Sequence, residues 1–272
     1  MTIRLQDILI GFRSLELGDK PVIVHASLSA FGKIDGGAET LVSALLAVFD
    51  SVVMSAFTYK TMIIPPSGPE YNAISYGSGA DANRMAEFFD PKMPADPLMG
   101  AIAETLRKHP RARRSTHPIL SFAGVNAKAA LAAQALSDPF APIGALAKQD
   151  GWVLLLGVDY TVNSSIHYGS AVGYHYAEKL AGQKQFIRWA LTPQGVCACP
   201  GFPGCSAGFQ SIAPDVARYA RQVKIGDALV QAVPLRMLFR VIIERIKNDP
   251  LVFLCQQANC ERCNEIRMHH GC

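Results

Sequence analysis

Apolar and polar positions follow two patterns along the chain. Short continuous runs of β-branched and other apolar residues predict strands at 21–25, 51–58, 152–158 and 186–192. Elsewhere apolar residues recur at helical spacing, which predicts helices at 3–16, 38–49, 97–108, 127–136 and 142–148. Strands that alternate with helices are typical of an α/β protein. The pattern therefore predicts a layered sandwich built on a mixed sheet.

The most informative stretch surrounds the predicted strand at 152–158. Asn163 and the two serines after it have side chains that can cap a helix, so a helix is predicted to begin there. His167 then lies beside the unpaired N–H groups of a helix start, where negative charge is stabilised. This position suits a general base. The alternative, which is commoner for a histidine at a helix start, is a packed or exposed residue with no catalytic role.

A loop of small residues follows the first predicted strand. It covers residues 26–37, contains two serines and three glycines, and leads into a predicted helix. A strand, a small-residue loop and a helix N-terminus together are typical of an anion-binding site. The sequence has neither the Walker pattern nor the dinucleotide-binding glycine pattern. The alternative is an ordinary connection between a strand and a helix.

Four stretches, taken in order, resemble one enzyme family. The chain resembles the aminoglycoside 3-N-acetyltransferases, which move an acetyl group from acetyl-CoA to an amine, in the run Leu154-Leu155-Leu156-Gly157-Val158 with Asn163-Ser164-Ser165-Ile166-His167. The other matching stretches are Val24-His25-Ala26-Ser27-Leu28-Ser29-Ala30-Phe31-Gly32 with Gly36-Gly37-Ala38-Glu39-Thr40, Arg114-Ser115-Thr116-His117-Pro118-Ile119-Leu120-Ser121-Phe122, and Asp138-Pro139-Phe140. Each stretch alone is a weak signal, whereas four in the family's order are a strong one.

The resemblance implies a layered α/β/α sandwich with a mixed central sheet and an acyltransferase that uses acetyl-CoA. It implies that the loop after the first strand holds the pantetheine and phosphates of CoA. It also implies that His167 takes a proton from the acceptor amine, while donors from the Ser27 or Thr58 region hold the oxyanion. Thr58 is thus implied among the catalytic residues. The residues implied to contact the cofactor are Ser27, Leu28, Ser29, Phe31, Arg114, Ser115, His117, Ser121 and Phe140.

The chain departs from the family pattern after His167. Family members have His-x-x-Glu in this region, with the carboxylate supporting the base, whereas Ser170 stands at that spacing here. His175 and Glu178 restore the spacing eight residues later. The distance from the run 154–158 favours His167 as the base, and we predict His167 with Glu178 as its partner. The helix register favours His175 instead, because residues three apart share one helix face.

Charge bears on the identity of the acceptor. We predict that Asp90, Asp96 and Glu104 line an acidic pocket for a cationic amine, although carboxylates near a helix start are commonplace on protein surfaces. The net charge of +4 does not attract a polycation. The acceptor is therefore left open between an aminoglycoside and another amino compound. Basic residues cluster only at 107–114, without interleaved aromatic residues, so no nucleic-acid partner is predicted.

Cysteines lie in the last third of the chain. The sequence has seven, and in a cytoplasmic protein we do not predict disulfides between them. Cys-x2-Cys spacing supplies two thiolates at the separation that tetrahedral zinc requires, and a second pair would complete the site. Reduced thiols without a metal are the alternative. The predicted ligands of a structural zinc ion are Cys205, Cys255, Cys260 and Cys263.

The chain is predicted to form one continuous domain in two parts. Residues 1–195 would form the acetyltransferase core, and 196–272 a helical, cysteine-containing segment packed on it. The 272 residues, half of them hydrophobic, suffice for a large core. No apolar run reaches the ~18 residues of a membrane span and no signal-peptide core is present, so a cytoplasmic protein without a membrane partner is predicted. Its partners would be CoA and a small amine, and assembly as a homodimer is left open.

Two other functions fit the same residues. A zinc-stabilised CoA- or ligand-binding homologue would keep the fold and lack turnover because of the change after His167. A metal hydrolase would use the cysteines and histidines in catalysis. The hydrolase is the weaker alternative, because cysteine-rich zinc sites are usually closed, whereas catalytic zinc keeps an open position.

Overall fold

The computed structural model of the chain describes residues 2–176 and 186–269. Within these ranges, no helix is both long and apolar enough to cross a membrane. The helices are α1 (Leu5–Ser14), α2 (Gly37–Val48), α3 (Ala80–Arg84), α4 (Gly100–Lys108), α5 (Lys128–Ala132), α6 (Ala141–Lys148), α7 (Ser164–Tyr176), α8 (Ala213–Val216), α9 (Leu235–Asn248) and α10 (Glu261–His269). The strands are β1 (Thr2–Ile3), β2 (Val22–Ala26), β3 (Lys33–Ile34), β4 (Val52–Ser55), β5 (Met62–Ile63), β6 (Arg113–Arg114), β7 (Phe122–Val125), β8 (Trp152–Leu156), β9 (Phe186–Thr192), β10 (Gly195–Phe202), β11 (Arg221–Ile225) and β12 (Ala228–Pro234).

The central sheet has seven strands in the order β11-β12-β8-β2-β4-β7-β6. β2 runs parallel to both of its neighbours, β4 and β8. The remaining pairs, on either side of these three strands, are antiparallel. The predicted mixed sheet is thus confirmed, and the carboxyl ends of β2, β4 and β8 meet at one edge.

Helices cover both faces of this sheet, because apolar side chains point alternately to either side along each strand. Val22 and Val24 belong to one buried cluster, with side chains of α1, α2 and α4. Ile23 belongs to a second cluster, with side chains of α5, α6, α7 and α9. The layered α/β/α sandwich is therefore confirmed.

A second, smaller sheet has the order β10-β9-β5, and its strands are antiparallel. Phe186 and Ala190 of β9 and Cys199 of β10 are buried in the same apolar cluster as α7 and α9. This packing fixes the β9–β10 hairpin against the main body and presents Arg188 and Phe202 near the end of β8.

The prediction that 196–272 is helical was wrong for its first half. β10, β11 and β12 lie there, and β12 pairs with β8 inside the central sheet. Gly226 makes the tight β11–β12 turn at φ +58, where a side chain would meet Ile3 and the carbonyl oxygen of Phe31. Gln231 is the one polar side chain of β12, so its sequence shows no alternating period, although the first five residues alternate between buried and more exposed positions. The segment therefore completes the core sheet, and α9 packs against α7 as part of the same body.

Candidate active site

A cavity of about 1510 Å³ opens where β2, β4 and β8 end. Ligands of open α/β sheets commonly bind at the carboxyl edge of parallel strands. His25 and Ser55 come from the ends of β2 and β4, and the chain that follows β8 contributes Asn163 and His167. The sheet thus brings polar side chains from three separate stretches of sequence into one cavity.

His167 lies on the first turns of α7 and lines this cavity. The ring of Phe140 stacks on its imidazole at 5.5 Å between centroids, and Phe209 meets it edge-on at 4.7 Å. Burial, followed by the positive charges of Arg262 and His25, lowers the pKa of His167 to about 3. The imidazole is therefore neutral at physiological pH and can accept a proton.

Asn163 fixes where α7 begins. Its Oδ1 accepts a hydrogen bond from the backbone N–H of Ser165 at 3.0 Å, and its carbonyl oxygen accepts one from Ile166 at 3.0 Å. These two contacts satisfy N–H groups that have no partner within the helix. The helix start predicted from the sequence is confirmed, and the capping holds His167 at the cavity.

Ser170 lies three residues after His167 on α7. Its Oγ is buried and has no hydrogen-bond partner among the described residues. Both side chains line a second cavity of about 140 Å³, together with Asp138. Asp138 is the one carboxylate among the described residues that line either cavity. No neighbouring glutamate on the described part of α7 therefore supports the imidazole.

The alternative base, His175, lies farther along α7 with an exposed side chain. It is not among the described residues that line the cavity. Glu178, its predicted helix neighbour, lies outside the described residues. The geometry therefore favours His167, and a role for Glu178 stays a prediction.

The predicted CoA loop does reach the cavity. Ser27, Leu28 and Ser29 line it, and the hydroxyl oxygens of Ser27 and Ser29 lie 3.1 Å apart. The Ser27 N–H donates to the carbonyl of Leu156 at 3.0 Å, which ties the loop to the end of β8. Phe31 is only 1% exposed and packs in the core, so it anchors the loop and does not contact the cavity.

The cofactor residues predicted between Arg114 and Ser121 form hydrogen bonds within the fold and do not line the large cavity, and their contact with CoA stays a prediction. The Arg114 guanidinium donates to Ser121 Oγ and to the carbonyl oxygens of Ala56 and Met93. The hydroxyl of Ser115 exchanges hydrogen bonds with the backbone of Phe122. These contacts bind the strand pair β6–β7 to the chain after β4, away from the cavity.

His117 and Thr58 also use their polar atoms for hydrogen bonds with the backbone. His117 Nδ1 accepts the N–H groups of Ile119 and Leu120, and burial lowers its pKa to about 4. The Thr58 hydroxyl donates to the carbonyl of Pro118 at 2.7 Å. Neither residue lines the cavity, so the contact predicted for His117 and the catalytic role predicted for Thr58 stay predictions that the cavity lining does not support. Of the predicted cofactor residues from Arg114 onward, only Phe140 lines the cavity, where its ring stacks on the imidazole of His167.

The three predicted acidic residues are likewise engaged elsewhere. Asp90 accepts from the N–H of Lys92, and Asp96 caps the turn that precedes α4 by accepting from Leu98. Burial opposes ionisation of Glu104, but its hydrogen bonds with Arg107 and the Ala95 N–H lower its pKa to about 2. None of the three lines the cavity. Their role with the acceptor stays a prediction that the cavity lining does not support.

Two arginines that the sequence analysis did not select line the cavity. Arg188 donates to the carbonyl oxygens of Asn72 and Ile187 and lies over the ring of Phe202 at 5.0 Å. Arg262 belongs to α10 and donates to the carbonyl oxygens after Phe202, at Pro203 and Gly204. Neither arginine could be selected from the sequence, because both are far in sequence from the other residues of the cavity. No local pattern connects β9 or α10 with the end of β8.

The four cysteines predicted as zinc ligands come together. The sulfur atoms of Cys205, Cys255, Cys260 and Cys263 all lie within 4.8 Å of one another. Tetrahedral zinc with Zn–S bonds of about 2.3 Å separates its sulfurs by about 3.8 Å, so the cluster is of the right size. Cys205 also lines the large cavity, and Arg262 lies between two of the ligands in sequence. The cluster therefore forms part of the cavity wall.

Comparison with known families settles the class of protein. The model of the aminoglycoside 3-N-acetyltransferase family matches residues 23–247. The chain belongs to this family. The match spans β2 to nearly the end of α9, and so it includes β12, which lies in the second part of the predicted continuous domain.

Relatives agree with this assignment. The chain is 34% identical over 168 residues to aminoglycoside N(3)-acetyltransferase VII of Streptomyces paromomycinus, and the match covers 58% of this chain and 57% of that protein. The matched part thus spans little more than half of that relative's length. The crystal structure of aminoglycoside acetyltransferase AAC(3)-IVa as the apoenzyme has a TM-score of 0.77 and 21% identity, over 98% of each chain. That of AAC-IIIb binary with CoASH has a TM-score of 0.72 and 19% identity, over 91% of this chain and 97% of the other. At these identities the likeness to the structures shows the fold.

Proposed function

We propose that this chain transfers the acetyl group of acetyl-CoA to the 3-amino group of an aminoglycoside or to a related amino compound. The observation that carries the proposal is the neutral His167 in one cavity with the loop of Ser27 and Ser29. The name of the Streptomyces relative supports the reaction, and the neighbour with CoASH supports the co-substrate.

In this reaction His167 is the general base. The acceptor nitrogen attacks the thioester carbon, so that a C–N bond forms and the C–S bond breaks. The imidazole takes the proton that the nitrogen loses and returns it to the leaving thiolate of CoA. The loop from Ser27 to Ser29 holds the CoA chain, because its small side chains leave room for it and its hydroxyls face the cavity.

The test is release of CoA thiol from acetyl-CoA, with aminoglycosides and simpler amines as acceptors and with correction for the protein's own cysteines. We expect turnover with at least one aminoglycoside and acetylation of its 3-amino group, identified by NMR of the product. Turnover only with other amines would correct the acceptor. Binding of acetyl-CoA without turnover on any amine would remove the enzymatic proposal.

Replacing the base gives the first specific prediction. His167→Ala should lower kcat by about 10²–10⁴-fold, the usual contribution of a general base, while the Kd of CoA changes little. His175→Ala is the matched control on the same helix and should retain wild-type kcat. If His175→Ala alone abolished transfer, the assignment of the base would be wrong.

A second candidate is a CoA-binding homologue without aminoglycoside turnover. Among the described residues that line the large cavity, Arg188 and Arg262 carry positive charge, and no carboxylate lies with them. A polycationic acceptor gains nothing from such a wall. The same assay decides between the two candidates, because the homologue would bind acetyl-CoA and leave every amine in the series unmodified.

We also propose that Cys205, Cys255, Cys260 and Cys263 hold a structural zinc ion. The support is their mutual approach within 4.8 Å and the burial of two of the four, Cys255 and Cys263. Four thiolates fill a tetrahedral site and leave no open position for a reactive water. The zinc would therefore hold α10 and the β10 end together and take no part in the transfer step.

A further inference from the structure

Three buried polar atoms at the large cavity lack hydrogen-bond partners in the described part of the chain. They are His25 Nε2, Ser55 Oγ and Asn163 Nδ2. The side chains are 7%, 8% and 1% exposed, respectively, and all three line the cavity that holds His167. Buried polar groups in folded proteins are nearly always paired. Three unpaired atoms at one cavity indicate that polar groups of a bound ligand supply their hydrogen-bond partners.

Asn163 is the member of this set whose direction is fixed. Its Oδ1 accepts the N–H of Ser165, so the reversed amide would place N–H against N–H. A serine hydroxyl can rotate and a neutral imidazole can change tautomer, but this amide must offer a donor. Serine and aspartate cap helices as well as asparagine does. Only asparagine adds an N–H directed away from the cap.

An amide N–H needs an acceptor oxygen, and the reaction brings one to this place. Asn163 precedes His167 by four residues and stands at the positive end of α7. The base must reach the nitrogen that attacks the thioester carbon, and that carbon carries the carbonyl oxygen. We propose that Asn163 Nδ2 donates a hydrogen bond to the thioester carbonyl oxygen and to the oxyanion that forms from it. This inference rests on the proposed acetyl transfer and replaces the role expected of the Thr58 region.

The nitrogen lone pair forms the C–N bond, and the π electrons of the carbonyl move onto oxygen, where the Nδ2–H stabilises the charge. His167 takes the proton from nitrogen. The carbonyl then reforms, the C–S bond breaks, and the imidazolium gives its proton to the thiolate. Asn163 touches the reacting oxygen throughout and transfers no proton itself.

Asn163→Asp and Asn163→Ser test the proposal, because both keep an acceptor for the Ser165 N–H and remove the amide N–H. Aspartate has no donor at this position, and the shorter serine side chain has no atom at the place of Nδ2. We expect kcat to fall by about 10²–10³-fold, the usual cost of losing one such donor, while the Kd of CoA stays within threefold. Asn126→Asp is the matched control. Its exposed amide donates to the carbonyl of Asp50 at 2.9 Å, outside the cavity, and its kcat should equal that of the wild type.

Infrared difference spectra of bound acetyl-CoA provide a readout that a purely structural role would not move. In the wild type the thioester carbonyl band should shift to lower frequency than in free acetyl-CoA, and in both Asn163 variants the shift should be lost. Equal band positions in wild type and variants, or a kcat within threefold of wild type, would overturn the assignment even if the wild type transfers acetyl groups. A wild type without turnover whose band shift depends on Asn163 would keep the donor and reject the proposed function.

Discussion

The imidazole of His167 is held neutral by its surroundings. Two aromatic rings enclose it, and two positively charged or chargeable groups, Arg262 and His25, oppose protonation. A base with a pKa near 3 has a small driving force for taking a proton, yet it is unprotonated across the whole neutral range. Catalysis at such a site has to depend more on position and on stabilisation of the oxyanion than on the strength of the base.

This environment predicts an unusual dependence on pH. A histidine with its ordinary pKa of about 6.5 would lose activity below that value as it is protonated. Because the pKa of His167 is about 3, kcat/KM should show no acid limb from the enzyme between pH 5 and pH 8. The observed acid limb of kcat/KM should follow the pKa of the acceptor amine, because the amine reacts only when it is deprotonated.

Two acceptors with amines of different pKa separate these sources. The acid limb should move with the acceptor when kcat/KM is measured for each across the same pH range. A limb that stays near pH 6.5 for both acceptors would contradict the neutral histidine.

At the residue scale, the matched motifs place His167, Ser27 and Ser29 in one cavity, as the sequence predicted, whereas their roles as base and CoA loop stay predictions. His117 and Thr58 were assigned to the site with equal reason, yet their polar atoms serve the backbone of the neighbouring turn. A sequence match shows that a residue type recurs in a family, and it does not distinguish a side chain that contacts the ligand from one that supports the wall.

Among the elements, the junction between β8 and the loop of Ser27 and Ser29 is closely packed. Gly157 follows β8 at φ +65, and a side chain on it would lie 2.3 Å from Cβ of Ala30 and 3.3 Å from Cβ of Ala228. Ala30 is in the turn Ser29–Phe31, next to the serines that face the cavity. Any group added at Gly157 must therefore displace the loop or the start of β12.

Gly157→Ala should lower the free energy of unfolding by about 2–4 kcal/mol, from the positive φ and the overlap together. It should also raise the KM for acetyl-CoA, because the loop moves. Gly18→Ala is the matched control, since its φ is +63 and a side chain there meets nothing within 4 Å. It should cost about 1–2 kcal/mol and leave the KM unchanged.

Urea titration and initial rates give both quantities. If the two variants changed the KM equally, the contact between Gly157 and Ala30 would have no bearing on cofactor binding.

Elements with strong local periodicity were predictable, and pairing between distant elements was not. Helix α9 and strand β8 follow their apolar patterns closely. β12 is apolar almost throughout, and nothing near it in sequence shows that it lies against β8 and belongs to the central sheet. Without that pairing, the sequence does not show that the segment after residue 195 contributes strands to the central sheet, nor that Arg262 lines the cavity.

At the scale of the whole molecule, the cysteine cluster joins the last described helix to the cavity wall. Removal of zinc by a chelator, or Cys263→Ser, should lower the melting temperature by at least ~5 °C and lower kcat/KM for acetyl-CoA, because Arg262 and Cys205 line the cavity. Cys197→Ser is the control, since Cys197 lies on β10 outside the cluster.

Metal analysis and calorimetry would check this together. About one zinc per chain is expected in the wild type and in Cys197→Ser, and none in Cys263→Ser. A wild type purified without zinc at full stability would reject the metal and leave four reduced thiols.

The order in which strands enter the central sheet has a consequence for synthesis on the ribosome. β2, β4 and β8 can associate once the first 160 or so residues have emerged, but β12 must still arrive to cover the free edge of β8. Until then a nascent chain presents an unpaired strand edge beside an apolar face, which is the kind of surface that aggregates or recruits chaperones. Arg262 leaves the exit tunnel later still. The ability to bind the cofactor should therefore appear late and abruptly during translation. Arrested shorter chains should expose the unpaired edge of β8 and should not bind the cofactor.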